Sequence, residues 1–160
     1  MSSKILTTYL NDHLAGSVAA IELLDHLRGL SRDTEREQFF TLLQSEVEED
    51  QKVLQGLLRE LGGKESRVRK AAAWLTEKVG QAKLKLDDSG SGELRLLEAL
   101  DALELGILGK RALWRALSVV GDRVPQIRTL DLGKLERRAQ DQYDRVEAER
   151  LKVARAALVS

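Results

Sequence analysis

The sequence predicts an all-α protein: a four-helix bundle with a long crossover carrying a short additional helix, in a single domain over residues 1–160. Three observations predict it. Proline occurs once, at Pro125, in a chain dominated by Leu, Ala, Glu and Arg, residues that lose little rotamer freedom in a helix. Apolar residues recur at three- and four-residue spacing along four long stretches, and no stretch alternates apolar and polar as a strand would. Glycines and turn formers fall between those stretches. The chain's 160 residues suit one well-buried core, since domains commonly run to ~100–150 residues.

The first helix, about Ser3 to Arg28, carries Leu6, Leu10, Leu14, Ser17, Ile21 and Leu24 on one stripe and is expected to stop at Gly29. The second begins near Ser31, where Thr34 and Glu37 have capping-box spacing, and runs through Phe40, Leu43, Val47, Asp50, Leu54, Leu57 and Leu61 to Gly62-Gly63. A third, about Glu65 to Leu86, has a thinner stripe of Val68, Ala72, Leu75, Val79 and Leu86 and is expected to lie across the others. The run from Asp87 to Gly92 is the plainest break. A fourth helix from about Glu93 presents Leu94, Leu97, Leu100, Leu103, Ile107, Leu108 and Trp114 and ends between Gly121 and Pro125. The last, about Leu132 to Leu158, presents Leu135, Ala139, Gln142, Val146, Val153 and Ala157.

Composition excludes several classes of function. Lys and Arg balance Asp and Glu at 26 each, so whole-chain charge gives no reason to expect nucleic acid. With 42% hydrophobic and 32% charged residues, the chain has the apolar surface to fold in water. No run approaches the ~18–20 apolar residues of a membrane span. Leu14 to Leu24 could pass for a signal segment, but Glu22 interrupts it, and a cytoplasmic helix is expected. Cysteine is absent, which removes thiol catalysis, disulfides and cysteine-ligated metals. Charge is uneven: residues 31–50 hold seven acids against two bases, and residues 64–86 seven bases against two acids. Such segments are ordinarily solvated or complementary helix faces.

The residues available for chemistry are few. A dinuclear site inside a four-helix bundle takes a Glu from each of two helices and a Glu-x-x-His pair from each of the others. The two histidines, His13 and His26, both lie on the first helix, and no Glu-x-x-His exists. Glu46 and Glu49 fall at the margins of their stripe and are expected to face water. Asp50 sits within the stripe, where an unpaired carboxylate is costly, so it needs a partner; His13 and Tyr143 are the candidates. Glu104 holds a comparable place between Leu100 and Ile107. A satisfied polar network is the ordinary explanation for such residues. His26 is expected to be exposed. Ser17 follows His13 by one turn, yet no nucleophile elbow accompanies it, and Gly90-Ser91-Gly92 has no phosphate-binding lysine.

Tyr9-Leu10-Asn11-Asp12, the segment from Glu46 to Gly62, and Leu103-Glu104 through Arg115-Ala116 resemble bacterial ferritin-like proteins of the stress-associated bundle family. The resemblance implies a ferritin-like fold with a metal-binding Glu where this chain has Ser17. It also implies a second-helix ligand pair at Val47 and Asp50, a carboxylate at Glu104, and last-helix ligands near Tyr143 and Val146, or at Asp144 or Glu147. Only Glu104 keeps the family carboxylate, so the di-iron site is expected to be lost, with Ser, Val, Ile and Tyr in its place.

The expected function is that of a metal-free structural or protein-interaction module without catalytic activity or cofactor. A homo-oligomer, most simply a dimer, is expected, with Trp74, Leu75, Val79 and Trp114 as interface anchors; no nucleic acid or membrane partner is expected. The alternative is a reduced site of His13, Asp50, Glu104 and Tyr143 that binds iron or manganese and supports oxidation chemistry. A third possibility is a small apolar ligand in an elongated central pocket lined by Val47, Ile107 and Val146.

Overall fold

The computed structural model describes residues 4–63, Ala73, Glu77 and residues 92–159. Among them are five helices and no strand: α1 (Lys4–Leu30), α2 (Glu35–Glu60), α3 (Gly92–Ser118), α4 (Pro125–Arg128) and α5 (Leu132–Val159). The all-α expectation holds. The helix expected over Glu65 to Leu86 and the break at Asp87 to Ser91 lie outside the described residues, apart from Ala73 and Glu77, which are helical.

Each joint has a local cause. α1 runs through Gly29 rather than stopping there, and the chain reverses at Asp33, which takes a positive φ of 62°; aspartate is one of the few non-glycine residues that tolerate this conformation. The expected capping box forms only in part. Thr34 is extended at the N-cap of α2, but its hydroxyl donates back to the Ser31 carbonyl at 2.6 Å. Glu37 accepts from the Asp33 N–H at 2.8 Å, one residue earlier than the motif requires. α2 ends as expected. Gly62 takes φ +71°, its N–H donates to Arg59 O at 3.0 Å, and the Gly63 N–H donates to Leu58 O at 2.9 Å, the paired bonds of a Schellman cap. Pro125, read from sequence as a terminator, instead occupies the first turn of α4, where its missing N–H costs nothing.

The core has two clusters, and their membership sets the directions of the helices. One joins Leu10 and Leu14 of α1 to Leu57 and Leu58 of α2, Leu113 and Trp114 of α3, Ile127 of α4 and Ala139 of α5. The other joins Leu24 of α1, Phe40 and Leu43 of α2, Leu100 of α3 and Val153 of α5. The start of α1 therefore meets the ends of α2 and α3 and the start of α5, so α1 and α5 run one way and α2 and α3 the other. α1 packs closely on α2, and α3 on α5. Two expected core residues are not core: Leu94 and Leu108 stand well into solvent. A leucine at helical spacing fits a stripe but does not by itself report burial. No helix among the described residues is long and apolar enough to cross a membrane.

Candidate functional site

The two helix pairs meet along two seams of opposite character. Between α2 and α5 the seam is charged. Arg36 pairs with Glu149 at 2.8 Å, Arg145 pairs with Glu46, and Arg138 donates to Glu49 at 2.8 Å and also to Asp50. Residue numbers rise on one helix as they fall on the other, so these pairs act as rungs that fix an antiparallel register.

The innermost rung is the centre of the molecule. Asp50 is only 3% exposed, and both of its oxygens are held: Oδ1 by Arg138, and Oδ2 by Lys110 Nζ at 2.7 Å and by Gln142 Nε2 at 3.5 Å. Gln142 is fully buried. It accepts from Lys110 through its side-chain oxygen and donates to Glu46 at 3.1 Å. Burial pushes the Lys110 ammonium below the ordinary lysine range, while Asp50 pulls it back up. The carboxylate that sequence marked as needing a partner has three, and neither His13 nor Tyr143 is among them. His13 instead packs edge-on against Tyr9, with ring centroids 4.7 Å apart. Burial lowers its pKa, against the opposing pull of Asp12. Glu46, expected in water, is half-buried and bound to Arg145 and Gln142; Glu49 is the exposed acid of the two. His26, expected to be exposed, is half-buried.

Glu104 belongs to a second cluster, shared by α3 and α5. Arg150 lies 2.7 Å from Glu147 and 3.3 Å from Glu104 through Nε, and its NH1 donates to Asp101 at 3.2 Å. Burial, then the Glu147 carboxylate, raises the Glu104 pKa, while the Arg150 guanidinium lowers that of Glu147. The charge of Glu104 raises the Tyr143 phenol. Glu104 Oε1 is buried without a hydrogen-bond partner. Of the four residues in the alternative metal set, Glu104 and Tyr143 stand together and Asp50 is tied to cations. Among the described residues, no group of three or more His, Asp or Glu side chains is arranged to hold a metal ion.

The other seam, between α1 and α3, is apolar and loosely filled. A cavity of about 340 Å³ lies there, reached by Val47 and Leu43 from α2 and lined on its flanks by Gly16, Ala19 and Ala20 of α1 and by Ala102, Gly106 and Gly109 of α3. Val47 and Ile107 line it as the sequence suggested, but Val146 is packed away inside a core cluster. Ser17, on the cavity wall, donates to Leu14 O at 2.7 Å and accepts from Gln51 Nε2 at 2.9 Å, so its hydroxyl is committed to structure and not to His13. Trp114, expected as an interface anchor, is 1% exposed and belongs to the core. Trp74, Leu75 and Val79 lie outside the described residues.

Sequence reasoning missed the cations, and of the cavity it named Val47 and Ile107 but not the small residues of α1 and α3. Lys110 follows Ile107 by three residues and precedes Leu113 and Trp114 by three and four, and Arg138 follows Leu135 by three. Both therefore occupy apolar stripes, as Asp50 does, and that shared placement was the available signal. Comparison with known protein families, with characterised proteins and with solved structures gives no match.

Proposed function

We propose that this chain is a ferritin-like bundle whose centre is braced by ion pairs instead of metal, and that it serves as a cytoplasmic structural or protein-interaction module with no catalytic activity. The observation that carries the reading is the saturation of Asp50. A buried carboxylate gripped by an ammonium, a guanidinium and an amide has both oxygens engaged, and two fixed cations beside it oppose any incoming cation. The shared direction of α2 and α3 supports a long crossover between them, the connection that a ferritin-like plan requires.

Assembly as a homo-oligomer, most simply a dimer, is part of the same proposal. Trp114 is withdrawn as its anchor. Leu94, Leu105 and Leu108 are exposed and share one face of α3 at helical spacing, and they offer the contact surface instead.

The test is metal content. Protein purified without chelator, exposed to ferrous iron, manganese and zinc and then desalted, should carry metal far below stoichiometry and show no shift in melting temperature. Near-stoichiometric metal that is lost in Glu104→Ala would overturn the reading. It would favour instead a carboxylate site with oxidation chemistry, for which the one supporting observation is the clustering of Glu104 with Glu147 and Tyr143.

A further inference from the structure

The α1/α3 seam carries more than the reading above requires. Gly16, Gly106 and Gly109 lie inside long helices, where glycine weakens the helix relative to alanine. Glycine in such places ordinarily lets another backbone approach closely. Here it does not: a Cβ added at any of the three would meet nothing within 4 Å, and Gly16 and Gly106 are exposed. These positions leave the cavity open on one side without serving helix packing.

The space has two chemically different ends. On α1 its lining runs from Asp12 to Leu24, about 18 Å at 1.5 Å per helical residue. Because α1 and α3 are antiparallel, Leu23, Leu24 and Leu103 gather at one end with Leu43 and Val47. Lys110 and Trp114 lie toward the other with His13. One donor at that polar end lacks an acceptor among the described residues, and another has capacity to spare. The Lys110 ammonium has three N–H groups, of which Asp50 and Gln142 take two. The Trp114 indole N–H is buried with no partner. A buried donor without an acceptor is rare in folded proteins and calls for an explanation.

We propose that the α1/α3 cavity is a binding site for a medium-chain carboxylate amphiphile, its apolar tail lying among Leu24, Leu43 and Leu103 and its carboxylate taking hydrogen bonds at the Lys110 and Trp114 end. The volume fits: about 340 Å³ falls within the range of roughly 300–1,000 Å³ typical of small-molecule pockets. Asp50 lines the cavity too, but Lys110 and Arg138 both hold it, so its charge is met by theirs. Asp12, at the rim, is exposed and its field is screened by water.

Decanoate is the probe, followed by calorimetric titration below its micelle concentration, with decanol as the uncharged control. Decanoate should bind saturably, one-to-one, and at least ~5-fold more tightly than decanol. Gly106→Leu fills the cavity while improving the helix, so it should keep its circular dichroism and melting temperature yet weaken decanoate at least ~10-fold. Lys110→Met should bring decanoate down to the affinity of decanol. The inference is overturned if decanoate does not bind, or if folded Gly106→Leu binds it as the unaltered protein does. Equal affinity for decanoate and decanol overturns the headgroup assignment. A dimer in sedimentation that Gly106→Leu dissociates, with no decanoate bound, overturns the ligand reading in favour of a second copy in the cleft.

Discussion

Removing the Asp50 carboxylate is the most incisive perturbation of this molecule. In Asp50→Ala, Arg138 keeps Glu49 at 2.8 Å, but Lys110, whose side chain is 15% exposed, loses the one carboxylate it pairs with among the described residues and keeps its hydrogen bond to Gln142. Breaking a buried ion pair by deleting one member typically costs ~3–5 kcal/mol, because the remaining charge is stranded out of water. Against a total stability of ~5–15 kcal/mol for a domain, that is a large fraction, to be read as the change in urea midpoint at unchanged m-value by circular dichroism. The loss should also depend on pH. Burial already lowers the Lys110 pKa and Asp50 is what raises it, so without Asp50 the folded-state value falls further below the unfolded one. Over that interval the unfolded chain binds more protons, and stability must rise with pH. Asp50→Ala should therefore recover part of its loss as pH climbs from ~7 toward the ordinary lysine range near ~10. The double variant Asp50→Leu/Lys110→Met should regain most of the single variant's loss, because apolar replacements of buried ion pairs are often neutral. A loss under ~1 kcal/mol that is flat with pH would refute the argument that buried charge holds this centre together.

Two other changes test neighbouring arguments. Glu104→Gln should stabilise the fold at neutral pH. A carboxyl raised by burial and by Glu147 makes its charged form a liability in the folded state, and the advantage of Gln should shrink as acid protonates Glu104 and approaches the ordinary carboxylate range; an advantage that grows on acidification, seen in parallel urea melts, would contradict the assigned shift. Gly62→Ala should lower stability by ~1–2 kcal/mol because the residue sits at φ +71°, whereas Gly109→Ala, in an open helical position, should raise it by ~1 kcal/mol. Thermal melts that rank the two variants the other way would overturn the distinction between a glycine required by its backbone and one that is not.

Helix number and most of the buried face were legible because period and burial are linked: Leu10, Leu43, Leu100 and Val146 all fall where their stripes put them. Leu94 and Leu108 show the limit of that link. The rule that apolar residues belong inside is weak in the outward direction, since much of any protein surface is apolar. Asp50 was legible as a problem but not as a solution. A carboxylate in an apolar stripe demands a partner, yet long side chains such as Lys110 and Arg138 reach several ångströms from their Cα atoms, so spacing along one helix does not say which cation on another will meet it. His13 and Tyr143 are its candidate partners by hydrogen-bonding chemistry, whereas the pairing is electrostatic. The cavity was legible in part: Val47 and Ile107 line it as their stripes suggest, but Gly16, Gly106 and Gly109 carry no side chain to mark a face, and only the relation between two helices reveals that they border a common void.

The contrast between the two seams has a consequence for how the molecule answers its solvent. Each closely packed helix pair is a natural cooperative unit, of the kind that opens as a block while the rest of a protein stays folded. The two blocks are joined by charged rungs along α2 and α5 and by mostly apolar contact around the cavity along α1 and α3. Salt screens the outer rungs such as Arg36–Glu149 more than the buried one at Asp50. The apolar seam offers it little charge to screen, so raising ionic strength loosens one side of the junction and spares the other.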